Sequence, residues 1–280
     1  MATNLLIAIK NIVNNPTKNI TPHNTYSNRI NSKGETLELY IKDAFCNTLT
    51  IADLNKKNEI FSKEFSYIGN QNNPPDIMIR GGDAVEIKKI EGTTSGIALN
   101  SSYPKDRLYA DSPMITEECR RCEDWTEKDI LYSIGVVKND TLKSLWFIYG
   151  DCYAAKKDIY EKIKAKISSG LQELTDIELA KTNELGRVNR VDPLGITYLR
   201  IHGMWHIENP DKVFSYILPK KSDFSVNALI LNEKYNSFPG EDRKALENIK
   251  NDNFIITNVR IKSPNNPAKM LGAKLISFNK

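Results

Sequence analysis

A chain of 280 residues with 40% hydrophobic and 26% charged side chains has the composition of a globular protein that can bury a real core, which excludes a disordered or fibrous polymer. Its 39 basic and 35 acidic residues leave a net charge of +4. That mild excess permits nucleic acid as a partner but lacks the strong basicity of a non-specific binder, although such a chain can still gather a few Lys and Arg in one cleft.

No apolar run approaches the roughly 20 residues of a membrane helix. The N-terminal Leu5-Leu6-Ile7-Ala8-Ile9 is broken by Lys10 and Asn11 before it could act as a secretion signal, and Cys46, Cys119, Cys122 and Cys152 give no disulfide framework. A cytoplasmic location with no membrane partner is expected.

Leu5, Leu6, Ile9, Ile12 and Val13 recur at helical spacing, which predicts an amphipathic first helix over residues 4–13. The polar residues 15–31, with Pro16, Pro22, His23 and Arg29, read as a loop in which His23 is solvated. Ser32-Lys33-Gly34-Glu35 has capping-box spacing, in which each side chain satisfies a free backbone N–H at the helix start. The helix it opens runs to about residue 48, burying Leu37, Tyr40, Ile41, Ala44 and Phe45. On that helix Glu38 lies at the border of the buried face, while Glu35 points nearly opposite. A strand is expected over Glu64-Phe65-Ser66-Tyr67-Ile68, followed by an asparagine-rich turn, Asn70-Gln71-Asn72-Asn73, that feeds the next element; its backbone and amides could lie near DNA, with a plain connecting loop as the default.

That next element is the most informative of the chain. Residues 75–88 are two alternating runs on either side of Gly81-Gly82, the signal of a β-hairpin. A two-residue loop would oppose Ile77 to Glu86 and mix apolar with charged residues on both faces. A three-residue loop, Gly81-Gly82-Asp83, pairs Asp76 with Lys88, Met78 with Glu86, Ile77 with Ile87 and Ile79 with Val85. One face is then apolar and the other gathers Asp76, Glu86 and Lys88, with Asp83 taking the left-handed conformation such a loop needs at its end. Two carboxylates on a buried face are costly unless neutralised. Mg²⁺, which is commonly held by one or two carboxylates and keeps sites for water and phosphate oxygen, would neutralise them, and Lys88 could then steady charge developing on phosphorus or orient the attacking water.

Pro75-Asp76, nine intervening residues and Glu86-Ile87-Lys88 together resemble the PD-(D/E)xK signature of Mg²⁺-dependent deoxyribonucleases. The resemblance implies that Asp76 and Glu86 bind the metal, that Lys88 is catalytic, and that a glutamate of the preceding helix supports the site. Glu38 fills that position, with Glu35 as the fallback; a plain Glu38–Lys42 pair at i, i+4 is the structural alternative.

Downstream, Leu99-Asn100-Ser101-Ser102-Tyr103-Pro104-Lys105-Asp106-Arg107 follows the catalytic strand directly. Asn100, Ser101 and Ser102 offer short donors and acceptors for phosphates or base edges, and Lys105 and Arg107 offer charge. Taken with Gly34-Glu35-Thr36-Leu37-Glu38-Leu39-Tyr40-Ile41-Lys42-Asp43, the hairpin and Tyr149-Gly150-Asp151-Cys152-Tyr153-Ala154, this stretch is similar to the NgoPII-type restriction endonucleases over most of the chain. The resemblance implies cleavage of double-stranded DNA at a short palindromic GGCC-type site with Mg²⁺, leaving 5′-phosphate ends, beside a cognate DNA methyltransferase. A palindromic site implies a homodimer, each half-site meeting an identical subunit. The rivals are a repair or junction-resolving nuclease on the same core and a non-catalytic DNA-binding module.

Cys119-Arg120-Arg121-Cys122 and His202-Gly203-Met204-Trp205-His206 could compose a zinc site. Ile196–Ile201, however, reads as a strand running into the histidines, and on a strand residues four apart are roughly 13 Å distant. Plain thiols are therefore expected. Residues 130–137 and 144–149, joined by a turn at Lys138-Asn139-Asp140-Thr141, complete a mixed sheet, and 156–168 form an amphipathic helix bearing Tyr160, Ile163 and Ile167. A further helical stretch is expected to Lys181, then Arg187 and Arg190 with Asn189 as duplex contacts, and then short strands and polar loops ending in Lys274-Leu275-Ile276-Ser277-Phe278. The expected fold class is α/β, a central mixed β-sheet flanked by helices (a restriction-endonuclease-like core) with an elaborated C-terminal α+β part. One domain should span 1–280, with its catalytic core at about 1–168 and DNA-recognition elaborations at about 170–280.

Overall fold

The structure, a computed structural model, describes residues 2–20, 31–70, 73–92, 96–99, 101–174, 177–182, 184–218 and 222–280, with the side chains of 31–35 left out. Helix α1 (Leu5–Asn14) begins where the Asn4 side chain accepts from the N–H groups of Leu6 and Ile7, and it buries Leu5, Leu6, Ile9 and Ile12. It packs on α2 (Asn31–Cys46), to which Asn11 is tied by a 2.8 Å bond from its Nδ2 to the Ala44 carbonyl. The expected loop residues His23 and Arg29 and the capping-box side chains of Ser32 and Glu35 lie outside the described residues. Asp53 caps an unforeseen helix, α3 (Leu54–Glu64), which holds the buried Lys57 against Asp43 at 2.5 Å.

Strand β1 (Phe65–Asn70) then pairs antiparallel with β2 (Asn73–Ile79), and β2 with β3 (Ala84–Ile90). The hairpin has an odd loop, but one pair out of the expected register. Ile77 faces Val85 and Met78 faces Ala84, and the loop is Arg80-Gly81-Gly82. Gly81, not Asp83, takes the left-handed conformation, at φ +64°. Asp83 is instead buried in the first pair, accepting from Tyr149 Oη at 2.6 Å and from Lys234 Nζ at 2.6 Å. Because the shift is by a whole pair, side-chain parity survives: Asp76, Glu86 and Lys88 still share a face.

Short strands β4 (Ile97–Ala98) and β5 (Arg107–Tyr109) and helix α4 (Glu117–Arg121) lead to β6 (Glu127–Lys138), which runs parallel to β3 with Glu86 beside Tyr132 and Lys88 beside Ile134. A tight turn with positive φ at Asn139 and Asp140 returns the chain as β7 (Thr141–Tyr149). Helix α5 (Gly150–Tyr153) starts with a close approach: a Cβ on Gly150 would lie 2.3 Å from the carbonyl oxygen of Lys105.

Helix α6 (Lys157–Gln172) carries the expected stripe, yet buries none of it, leaving Ile163 and Ile167 each 48% exposed. It ends at Gln172, so the helical stretch expected to Lys181 is not formed; Leu179 there makes a β-bridge to Val188 instead. Small pairs follow: β8 (Gly186–Val188) with β9 (Leu199–Ile201), and β10 (His206–Ile207) with β4. After α7 (Pro210–Val213), strand β11 (Ser225–Leu231) joins β7 in parallel. Helices α8 (Asn232–Ser237) and α9 (Gly240–Glu247) separate it from a long hairpin, β12 (Phe254–Ser263) and β13 (Asn266–Asn279). The mixed sheet runs β1-β2-β3-β6-β7-β11-β13-β12, with β5 paired to β6, and it is flanked by helices as an α/β fold requires.

Candidate active site

The two strands of the hairpin present Asp76, Glu86 and Lys88 to one cleft of about 130 Å³, whose walls also include Asn70, Asn73, Leu99, Ser101, Ser102 and Met114. Asp76 Oδ2 accepts from the Ile87 N–H at 2.5 Å, which fixes the carboxylate across the hairpin. Lys88 Nζ lies 2.7 Å from Glu86 Oε1. The second oxygen, Glu86 Oε2, is buried and meets no hydrogen-bond donor among the described residues. A buried carboxylate oxygen left bare is costly, and a cation is one of the few partners that would satisfy it.

The electrostatics agree with that reading. Burial, reinforced by the neighbouring Glu86 carboxylate, pushes the Asp76 carboxyl up to about 7, against the pull of Lys88 and the Ile87 N–H. Lys88 is shifted upward: burial opposes its charge, but Glu86 and Asp76 together outweigh burial. No group of three or more His, Cys, Asp or Glu side chains among the described residues is placed to hold a metal. The donor set is thus two carboxylates, which suits a hard cation that retains several waters.

Other expected residues sort by position. Ser101 and Ser102 reach the cleft, whereas Asn100 lies outside the described residues. Their loop is pinned by the Leu99 N–H bonded to the Trp205 carbonyl at 2.8 Å and by Tyr103, stacked on Tyr160 at 5.4 Å. Lys105 is buried behind Ser102 rather than extended toward solvent. Arg107 is engaged away from the cleft, 3.2 Å from Glu127 and 3.1 Å from Asp129. Glu38 sits 2.6 Å from Lys42, as the structural alternative expects, and is also close enough to Asp76 to raise its carboxyl.

Arg187 packs over the Tyr198 ring at 4.6 Å and Arg190 reaches Glu178 at 3.8 Å; neither lines the cleft. His202 is 3.5 Å from Glu184, and Cys122 Sγ donates to the Cys119 carbonyl at 3.1 Å, so each half of the zinc pattern is occupied locally. Sequence reasoning left Asn70 and Asn73 as connecting residues; their place at the cleft was signalled only by the turn running straight into Pro74-Pro75-Asp76. Met114, also at the cleft, carried no signal.

A family model described as NgoPII restriction endonuclease matches residues 3–262. The chain is also 46% identical, over 99% of its own length and 99% of the relative's, to the type II restriction enzyme NgoPII of Neisseria gonorrhoeae. No solved structure matches the chain significantly.

Proposed function

The chain belongs to the NgoPII restriction endonuclease family, and from that premise we propose that it is a Mg²⁺-dependent type II site-specific deoxyribonuclease cutting double-stranded DNA at a palindromic GGCC-type site. The observation that carries the metal assignment is the placement of Asp76 beside a Glu86 carboxylate whose buried oxygen has no donor among the described residues. Asp76 and Glu86 would hold the cation. When bound, the cation supplies Lewis-acid polarisation of a phosphate oxygen.

The remaining work falls to the chain itself. Lys88, held at Glu86 Oε1, offers its ammonium to the attacking water and to the negative charge that develops on phosphorus. Attack by water breaks the bond from phosphorus to the 3′ oxygen, giving 5′-phosphate and 3′-hydroxyl ends. Glu38 supports Asp76 from α2, and Ser101 and Ser102 contact the duplex at the rim of the cleft. Two copies acting about the two-fold axis of a palindrome make a homodimer the working form, and a cognate methyltransferase protects the host's own sites.

Digesting a sequenced phage genome in Mg²⁺ and sequencing every fragment end tests this directly. We expect ends that share one GGCC-type core and carry 5′-phosphates, with single-turnover cutting reduced at least ~10²-fold by Asp76→Ala or Lys88→Ala. Scattered ends, nicks that follow DNA structure rather than sequence, or full activity in either variant would overturn the reading.

A further inference from the structure

Three lysines are buried among the described residues: Lys57, Lys105 and Lys128. Two of them have counter-ions, Lys57 with Asp43 at 2.5 Å and Lys128 with Glu123 at 2.6 Å. Lys105, only 7% exposed, has no carboxylate within ion-pair distance among the described residues. Among the described residues its ammonium meets only the Ser102 hydroxyl, the Tyr103 carbonyl at 3.4 Å and the face of the Tyr103 ring at 5.3 Å. An ammonium taken out of water without an anion is an expensive arrangement, and one that an arriving anion would relieve.

The backbone of Lys105 is fixed with unusual thoroughness. Its N–H donates to Tyr132 Oη at 2.7 Å, the same hydroxyl reaches its carbonyl at 3.3 Å, and side-chain-free Gly150 lets that carbonyl approach. Tyr132 is the residue directly paired with Glu86 across the parallel strands β3 and β6, so the anchor of Lys105 stands next to a cleft carboxylate. Ser102, the partner of its ammonium, lines the cleft together with Asp76, Glu86 and Lys88.

We propose that Lys105 and Ser102 form a phosphate clamp in the wall of the cleft, in which the ammonium and the hydroxyl together bind a non-bridging oxygen of a DNA backbone phosphate and seat the strand against Asp76 and Glu86. The proposal rests on the nuclease reading for the identity of the anion, and on the unpaired charge for its existence. Burial pushes the Lys105 amine down to about 8, with Glu86 opposing and Lys88 adding to the shift, which fits a cation waiting for an anion.

The test uses the full-length protein with Lys105→Met, Lys105→Arg and Ser102→Ala, a cognate duplex, Ca²⁺ for binding without cutting, and Mg²⁺ for single-turnover cleavage. Lys105→Met should weaken binding about 10-fold, reduce the slope of log affinity against log salt by about one, and leave the thermal midpoint unchanged or higher. Lys105→Arg should restore most of the slope, and Ser102→Ala should show a smaller loss. An unaltered salt slope in Lys105→Met overturns the clamp, as does a loss of binding that tracks a lowered midpoint and is not recovered by Arg. If the wild type binds with a Lys105-dependent slope but cuts no DNA in Mg²⁺, the nuclease reading fails while the clamp stands.

Discussion

Asp76 and Lys105 are displaced from their ordinary titration ranges in opposite directions by the same cause, burial without a sufficient partner. The Lys105 amine, near 10.4 in an unfolded chain, is held at about 8 in the fold. Between those values the unfolded state binds more protons, so the contribution of this group to stability rises with pH; it is present above about 10.4 and lost as pH falls through about 8. Urea unfolding from pH 7 to 10.5 should therefore show wild type gaining on Lys105→Met as pH rises, and parallel curves would contradict the burial of an unpaired amine. For Asp76 the sign reverses in pH. Its folded value of about 7 exceeds the unfolded value near 3.9, so the favourable contribution is present below about 4 and is lost as pH climbs through 7. Without divalent cation, Asp76→Asn should be at least as stable as wild type at pH 8 but not at pH 4, while failing to cut at either. A variant less stable than wild type at both pH values would mean that the carboxylate is structurally required.

The hairpin of β2 and β3 shows how far element-scale reasoning reaches. Its parity was legible because Ile77, Ile79, Val85 and Ile87 alternate with charged residues, and any odd loop keeps Asp76, Glu86 and Lys88 on one face. Its register was not legible, because the deciding residue is Asp83, held by Tyr149 and by Lys234, partners 66 and 151 residues away along the chain. The same limit hid Lys105, whose burial depends on Tyr132 and Gly150, and Arg107, whose charge is taken up by Asp129. Helix α3 was missed for a local reason: its Asp53 cap precedes a polar sequence with little apolar periodicity. Two substitutions separate the parts of the turn. Gly81→Ala has open space for its methyl group and loses only left-handed freedom, so a cost of about 1 kcal/mol is expected. Asp83→Ala leaves Tyr149 Oη unpaired and strips Lys234 of one of its two carboxylates, so roughly 3 kcal/mol and a fall in cleavage are expected. Equal costs in denaturant unfolding would show that the clamp at Asp83 does not set the register.

At the scale of the molecule, the cleft-forming strands and the C-terminal strands are joined edge to edge. Strand β7 stands between β6, neighbour of the cleft strand β3, and β11, and β13 covers the far side of β11 along its whole length. Phe147 and Ile148 in β7 are fully buried, as are Leu229 and Ile230 in β11, and Leu275 and Phe278 in β13 are nearly so. Helix α9, which precedes the last hairpin, returns to the N-terminus, where Asn4 Nδ2 donates to Asp242 at 2.7 Å and α1 packs against it. A chain ended at residue 222 would expose the full edge of β7 and the buried side of α1 together, and unpaired apolar edges of that kind drive aggregation. We expect that truncation to give insoluble protein, and the whole chain to unfold in urea through one transition seen alike by far-ultraviolet circular dichroism and by tryptophan fluorescence, to which Trp146, buried on β7, contributes. Two separated transitions, or a soluble truncated chain that still binds DNA, would mean instead that the cleft-forming strands and the C-terminal strands are independent folding units that merely share a sheet edge.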